Sequence, residues 1–261
     1  MSRLPLVPFL LFSLLLLLVS PFNAHARTAV LFDQGHGQRF LIERGEDLDL
    51  SLLAGTFRDL GADVSTSSSP LTEKLLHGVD VLVISGPFRP YTPEEIEAVA
   101  RFIERGGAVC ITLHIAPPVA DLLYRVGVDH SNSVIHEEEG TIGKDPLNFH
   151  VTRLESHPLF QGVRQFSLYG VWALQSVRSG VRALARTSPS AWVDLNGNGR
   201  LDPGDARQQF AVAVAGEAGK GRFVVFGDDA VFQNKFLTGD NLILARNLAA
   251  WLTGRSAAPA R

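Results

Sequence analysis

The chain has 261 residues, of which 46% are hydrophobic, and it carries a formal net charge of −3 at pH 7. That length allows one substantial hydrophobic core or two small ones. Lysine and arginine number 24 against 27 acidic residues and form no basic block, which argues against a nucleic-acid-binding protein.

Residues 1–26 are predicted to be a secretory signal peptide. Arg3 supplies the positive start, residues 6–19 form an apolar run, and Ala24-His25-Ala26 fits a small-x-small cleavage site. The run is shorter than the about 20 apolar residues of a spanning helix, although a retained anchor stays open as an alternative. We therefore expect a secreted or periplasmic protein without a membrane span after cleavage.

Strand and helix signals alternate through the first half of the predicted mature domain, 27–253. Apolar runs predict strands at 28–32, 79–84 and 108–113, with an edge strand at 62–65. Helices are predicted at 47–60, 70–77 and 119–126, and Thr92, Pro93 and Glu95 predict another that begins with a capping box. This alternation predicts an α/β fold with a doubly wound, mainly parallel sheet and helices on both faces.

The pattern weakens in the second half of the chain. Short strand signals between about 130 and 210 predict a small β-rich subsidiary region. Firmer strands are predicted at 209–214 and 221–226, followed by an amphipathic helix at 241–252. Residues 254–261 are predicted to be a flexible tail.

The segment 194–205 has the spacing of a calcium-binding loop. Oxygen side chains stand at loop positions one, three, five, nine and twelve, and Gly199 stands at position six. Calcium takes six to eight oxygen ligands, and this spacing wraps a short loop around one ion. The predicted Ca2+ ligands, with Arg200 contributing its backbone carbonyl, are Asp194, Asn196, Asn198, Arg200, Asp202 and Asp205.

The loop differs from an EF-hand in two respects. Asp205 occupies the position where glutamate is usual, and strands rather than helices are predicted on both sides. The variant resembles dockerin-like extracellular calcium repeats. A site between strands would stabilise the fold rather than switch it. The alternative is an Asn-Gly-rich turn that binds no ion.

Several motifs together resemble the DUF-4350-type domain of unknown function, which is similar in fold to class I glutamine amidotransferases and to the ThuA-like group. The resemblance covers most of residues 28–253 and rests on five segments: 32–37, 106–107, 157–163, 219–228 and 241–252. It implies a flavodoxin-like sheet, and it supplies no established reaction.

The amidotransferase-like group implies a catalytic cysteine on a tight turn between strand and helix. Cys110 is the only cysteine, and it lies in the middle of a predicted strand between Val109 and Ile111. A nucleophile elbow needs small residues around an exposed turn. We therefore interpret Cys110 as a buried core residue, which makes glutaminase chemistry unfavourable.

A second candidate site lies at the carboxyl ends of the predicted parallel strands, where open sheets bind ligands. The candidate catalytic residues on this rim are Asp33, His36, His114 and Asp228. Such a set could perform acid–base chemistry or ligate a metal. The alternative is structural, because aspartates at strand ends commonly cap turns and helices.

Three functions remain after this reading. The first is an exported, non-catalytic binding or scaffold protein with a structural calcium site and an unknown protein or small-molecule partner. The others are a periplasmic hydrolase that uses the Asp/His rim, and a subunit of a cell-envelope assembly. Fold alone does not choose among them, since one fold hosts many functions.

Overall fold

The computed structural model describes residues 27–255. The predicted signal peptide and residues 256–261 of the predicted tail therefore lie outside the described residues. Within the described range, no helix has the length and apolar character needed to cross a membrane.

The first half of the described chain supplies the parallel part of the main sheet. Its strands are β1 (Ala29–Asp33), β2 (Asp63–Ser67), β3 (Val81–Ser85) and β4 (Ala108–Thr112). The helices between and after them are α1 (Ser51–Asp59), α2 (Pro93–Glu104) and α3 (Ala120–Arg125). The predicted capping box is confirmed, because Thr92 accepts from the Glu95 backbone N–H and the Glu95 side chain accepts from that of Thr92. The segment 70–77, predicted as a helix, forms turns instead.

The second half is rich in strands and ends in one helix. The strands are β5 (Val128–His136), β6 (Thr141–Ile142), β7 (Asp145–Val151), β8 (Arg153–Leu154), β9 (Phe166–Tyr169), β10 (Trp172–Ser176), β11 (Val181–Arg186), β12 (Trp192–Val193), β13 (Ala206–Arg207), β14 (Ala211–Ala218) and β15 (Gly221–Phe226). The last helix is α4 (Gly239–Thr253), and the left-handed Gly254 (φ 67°) ends it as a C-cap.

The predicted doubly wound, mainly parallel sheet is wrong. Twelve strands form one mixed sheet, whose main path runs β13-β12-β5-β10-β14-β15-β4-β3-β1-β2. The five strands β2, β1, β3, β4 and β15 pair in parallel, whereas every pairing from β15 through β14 to β13 is antiparallel. The physical reason is hairpin closure: Gly219 follows β14 directly, so β14 turns back beside β15 and starts an antiparallel extension.

The predicted subsidiary region at 130–210 is corrected in the same way. Most of its strands extend the main sheet, and only β6, β7 and β9 form a separate three-stranded sheet. Two core clusters cover the faces of the sheet. One cluster includes residues of α1 and α4, and the other includes residues of α2 and α3. This arrangement places the ends of β1, β4 and β15 on one rim and the 194–205 loop at the far antiparallel edge.

Candidate functional site

The segment 194–205 connects the short edge strands β12 and β13. Trp192 and Val193 pair with Arg207 and Ala206, and β12 also pairs with the end of β5. The loop therefore closes a hairpin between two strands of two residues each. The sequence predicted flanking strands at 190–193 and 209–214, but the partner of β12 is β13 at 206–207, and the later segment belongs to β14. Interactions that keep the loop closed therefore also keep β12 and β13 paired at this edge of the sheet.

Asp194 organises the first half of the loop. Its Oδ1 accepts hydrogen bonds from the Gly197 N–H (2.7 Å) and the Asn198 N–H (3.3 Å), and its Oδ2 accepts one from the Gly199 N–H (2.7 Å). Gly197 and Gly199 have φ values of 77° and 73°, a region that glycine adopts without steric cost. The N–H of Gly199, followed by those of Gly197 and Asn198, holds the pKa of the Asp194 carboxyl below its usual range.

The side chains at positions three, five and nine meet at one point. Asn196 Nδ2 and Asn198 Nδ2 both donate to Asp202 Oδ2, at 2.8 and 2.7 Å. The N–H of Gly204 and then these two amides lower the pKa of Asp202. An amide oxygen and nitrogen exchange places by a rotation of 180°, so both asparagines can present oxygen at the same point.

Asp205 closes the loop at position twelve. Its Oδ1 accepts from the Leu195 N–H (2.9 Å) and its Oδ2 from the Asp202 N–H (2.9 Å). Across residues 27–255, no three His, Cys, Asp or Glu side chains are grouped so that they could share a metal ion. A calcium site here would therefore need the asparagine amides and the Arg200 carbonyl besides carboxylates, which are ligands that calcium accepts.

On the rim, the structure pairs Asp33 with His36 and adds a partner that the sequence did not suggest. His36 Nδ1 lies 2.8 Å from Asp33 Oδ2, and His36 Nε2 lies 3.0 Å from Glu95 Oε1. The Tyr91 hydroxyl donates to the same Asp33 oxygen at 2.6 Å, and its ring stacks on His36. Burial lowers the pKa of His36, but the bonds and charges of Asp33 and Glu95 outweigh burial and raise it above its usual value.

These contacts link separate elements of the fold, and they occupy both ring nitrogens of His36. The His36 side chain is buried, and both of its nitrogens face carboxylates. Glu95 also accepts from the Leu71 N–H at 2.9 Å, so the cluster joins the end of β1, the start of α2 and the segment that leads into the turns at 73–78. A buried, fully partnered imidazole holds structure rather than meeting a substrate.

His114 belongs to a separate group at the ends of β4 and β15. Its Nδ1 lies 3.2 Å from Asp229 Oδ1, and its side chain is 40% exposed. The hydrogen bond to Asp229 is the main reason that the pKa of His114 is raised. The rings of Phe40 and Phe88 lie 5.2 and 5.1 Å from the imidazole.

Asp228 acts as a backbone cap. Its Oδ2 accepts from the Tyr169 N–H (2.7 Å) and its Oδ1 from the Ala230 N–H (2.8 Å). Burial, with the neighbouring Asp229 charge, raises the pKa of Asp228 to about 8. Burial also raises the pKa of Asp229, whose Oδ2 has no hydrogen-bond partner within residues 27–255. The rim thus brings His114 next to Asp229 and gives Asp228 a structural role.

Within residues 27–255, no side-chain hydrogen bond links the two rim groups. Phe88 lies between them: its N–H donates to the His36 carbonyl at 2.9 Å, and its ring contacts His114. Cys110 lies apart from both, fully buried in β4, and burial raises the pKa of its thiol far above the usual value. The interpretation of Cys110 as a core residue is confirmed, because a buried thiol does not form a nucleophilic thiolate.

A family model for a domain of unknown function, DUF4350, matches residues 50–253. The chain belongs to the DUF4350 family. A search of curated protein sequences finds no match to this DUF4350 protein.

Solved structures resemble the DUF4350 chain in fold. The mmIFT52 N-terminal domain is 17% identical with a TM-score of 0.69, and the match covers 86% of this chain and 97% of that domain. ThuA-like proteins from Bacteroides uniformis and Parabacteroides merdae are each 13% identical with a TM-score of 0.53. The match covers 89% of this chain and 95% of the first, and 90% of this chain and 93% of the second. At these identities the likeness concerns the fold alone.

Sequence reasoning missed two members of the rim of this DUF4350 protein. Glu95 was assigned only to the helix cap, although one of its oxygens also holds His36. Tyr91 carried no signal, because its role depends on a partner 58 residues away in the chain. Long-range pairing of this kind leaves no local pattern from which to predict it.

Proposed function

We propose that this protein is an exported, non-catalytic binding or scaffold module whose 194–205 loop holds one structural calcium ion. The observation that carries the proposal is the convergence of Asn196 and Asn198 on Asp202 Oδ2, inside a loop that Asp194 and Asp205 close. Oxygen-bearing side chains at loop positions one, three, five, nine and twelve are what a calcium loop of this type requires. Export rests on the apolar run and the cleavage pattern of residues 1–26.

The chemistry of the loop favours calcium over a softer metal. Its side-chain donors are carboxylate and amide oxygens, with neither histidine nor cysteine, and hard cations prefer oxygen ligands. Magnesium needs a tighter octahedron and loses its waters reluctantly, which disfavours it in a loop of twelve residues with several neutral donors. An ion at this point would tie β12 to β13 and so stabilise the edge of the sheet.

Isothermal titration of the purified chain with calcium, followed by metal analysis of the dialysed protein, tests the proposal. We expect one calcium ion per chain and a much weaker response to magnesium. Asp202→Asn replaces a charged calcium ligand with a neutral one and should weaken calcium binding. Glu138→Gln is the matched control, because Glu138 is an exposed acid outside the loop that pairs with Arg207 on β13. Absence of both a calcium isotherm and retained metal would reject the calcium site.

A second candidate is a hydrolase, which the His114–Asp229 pair favours. A carboxylate that fixes one ring nitrogen leaves the other free to exchange a proton with a substrate. His114 Nε2 has no hydrogen-bond partner within the described residues, and 40% of the side chain is exposed. Hydrolysis of chromogenic esters by the wild-type chain, lost in His114→Ala and kept in His157→Ala, would support this candidate. Equal rates for the wild type and His114→Ala would remove it.

A further inference from the structure

The main sheet forks near the start of β14. Ala211 is the register partner of both Leu174 on β10 and Arg186 on β11. The two strands lie on opposite edges of β14, since a strand residue has one register partner on each edge, and β10 continues to β5 whereas β11 continues to β8. Both strands carry register shifts close to the fork, and bulges of this kind bend strands and redirect side chains.

The fork opens into a cavity of about 430 Å3. Its lining residues come from β10, β11 and the start of β14, together with residues of β5, β12 and β13. Its volume lies within the range of roughly 300–1,000 Å3 that is typical of small-ligand sites. The cavity is distinct from the rim, since it shares none of Asp33, His36, His114 or Asp228.

The charge of the cavity wall has one sign. Arg186 is its only lysine or arginine, and no aspartate or glutamate lines it. Within residues 27–255 Arg186 forms no ion pair, whereas its cross-strand neighbour Arg153 pairs with Glu139 at 3.3 Å. A half-buried guanidinium without a carboxylate partner attracts an anion, and its planar fork matches a carboxylate.

The remaining polar groups of the wall can both donate and accept hydrogen bonds. They comprise the amides of Gln175, Gln208 and Gln209 and the hydroxyl of Ser176. The Ser131 hydroxyl is already bonded, since it donates to the Ser133 carbonyl oxygen and accepts from the Ala173 N–H. A sugar hydroxyl likewise donates one hydrogen bond and accepts others, so this set suits a polyol.

His130 adds an acceptor of fixed orientation. Its Nδ1 lies 2.6 Å from the Ser131 carbonyl oxygen. Because a carbonyl only accepts, Nδ1 carries the proton and Nε2 of the neutral ring is the acceptor. Leu174 and Phe210 supply apolar surface for the carbon face of a sugar ring.

From this wall we infer that the cavity binds one acidic saccharide unit, a hexuronate, with its carboxylate on Arg186 and its hydroxyls on the glutamine amides, Ser176 and His130. The inference deepens the proposed binding role by naming the ligand class. It does not require the calcium ion, although Leu195 in the loop and Ala206 after it also line the cavity.

Titration calorimetry with D-glucuronate, set against D-glucose, tests the inference on the purified chain expressed from the full-length sequence. The two sugars differ at one carbon, so the comparison isolates the carboxylate. We expect saturable glucuronate binding and at least about tenfold weaker glucose binding, in line with a charge-assisted bidentate contact. Equal affinity for the two sugars, or no saturation by glucuronate, would overturn the inference.

Two variants assign the binding to the fork. Arg186→Gln should weaken glucuronate at least about tenfold and bring it to the level of glucose. Arg182→Gln should leave both affinities unchanged, because Arg182 is an exposed arginine on the same strand that does not line the cavity. Full glucuronate affinity in a folded Arg186→Gln variant would contradict the assignment. If that variant does not fold, the glucuronate–glucose comparison decides.

The calcium titration separates this inference from the proposed metal site. Glucuronate binding without a calcium response would keep the cavity inference and reject the calcium loop. A calcium response without glucuronate binding would do the reverse.

Discussion

Calcium should raise the melting temperature of this protein by an amount that mass action fixes. Ligand that binds only the folded state stabilises it by RT ln(1 + [L]/Kd). Extracellular calcium sites have dissociation constants of roughly 0.1–1 mM. At about 10 mM calcium the stabilisation is then about 1.4–2.7 kcal/mol. For a domain of this size each kcal/mol shifts the midpoint by about 2–4 °C, so we expect a rise of about 3–11 °C.

Asp194→Ala should abolish that rise. Asp194 is at once the predicted first ligand and the acceptor for the N–H groups of Gly197, Asn198 and Gly199, so its loss opens the loop. The variant should also melt at a lower temperature than the wild type without calcium. Differential scanning calorimetry with and without calcium measures both effects, with Glu138→Gln as the control that should keep the wild-type rise. A rise that survives in Asp194→Ala would refute the reasoning.

Four further predictions concern the buried titratable groups and the amino terminus. In urea unfolding at fixed salt, stability should fall as the pH rises from about 6.5 to about 8, with a slope of up to about 1.4 kcal/mol per pH unit for each proton. The pKa values of His36 and His114 are raised and that of Asp228 is raised to about 8, so the folded state keeps protons that the unfolded chain loses. A flat or rising profile would contradict those shifts. Asp229→Asn should lower the pKa of His114 in a histidine NMR titration while that of His157 stays constant, because the main cause of the shift is removed. An unchanged His114 pKa would show that the pair does not form. Iodoacetamide should leave Cys110 unmodified in the folded chain and alkylate it in urea, and fast alkylation of the folded chain would contradict this expectation. The intact mass of the exported chain should correspond to a protein that begins at Arg27, and retention of residues 1–26 would contradict the predicted cleavage.

Local signals in the sequence predicted the parts of the fold that local physics determines. The capping box at Thr92, the buried strand around Cys110 and the strand that precedes the 194–205 loop all appear in the structure. Each depends on residues within a few positions of one another. The family resemblance read from the chain also agrees with the DUF4350 match.

Sheet topology was beyond such local signals. Alternating strands and helices favoured a parallel sheet, but the strands after residue 128 join it in antiparallel order. A short strand has the same composition in either direction, so its partner is decided by packing across the whole domain. The fork at Ala211 depends on two bulged strands, and bulges carry no reliable sequence pattern.

The candidate sites show the same division. The residues of the candidate calcium loop are close together in the chain, so their spacing could be recognised from the sequence. The His36–Glu95 and His114–Asp229 contacts, in contrast, span 59 and 115 residues. The sequence indicated which side chains are capable of chemistry, but only the fold determined which of those side chains contact one another.

A crystal structure of the protein crystallised with calcium tests most directly the central claim that the 194–205 loop binds one calcium ion. We predict one ion with oxygen ligands at about 2.3–2.6 Å from Asp194, Asn196, Asn198, Asp202, Asp205 and the Arg200 carbonyl. The asparagine amides should then have turned their oxygens toward the ion. A loop that keeps both asparagine Nδ2 groups on Asp202 at saturating calcium, without an ion among these oxygens, would contradict the account.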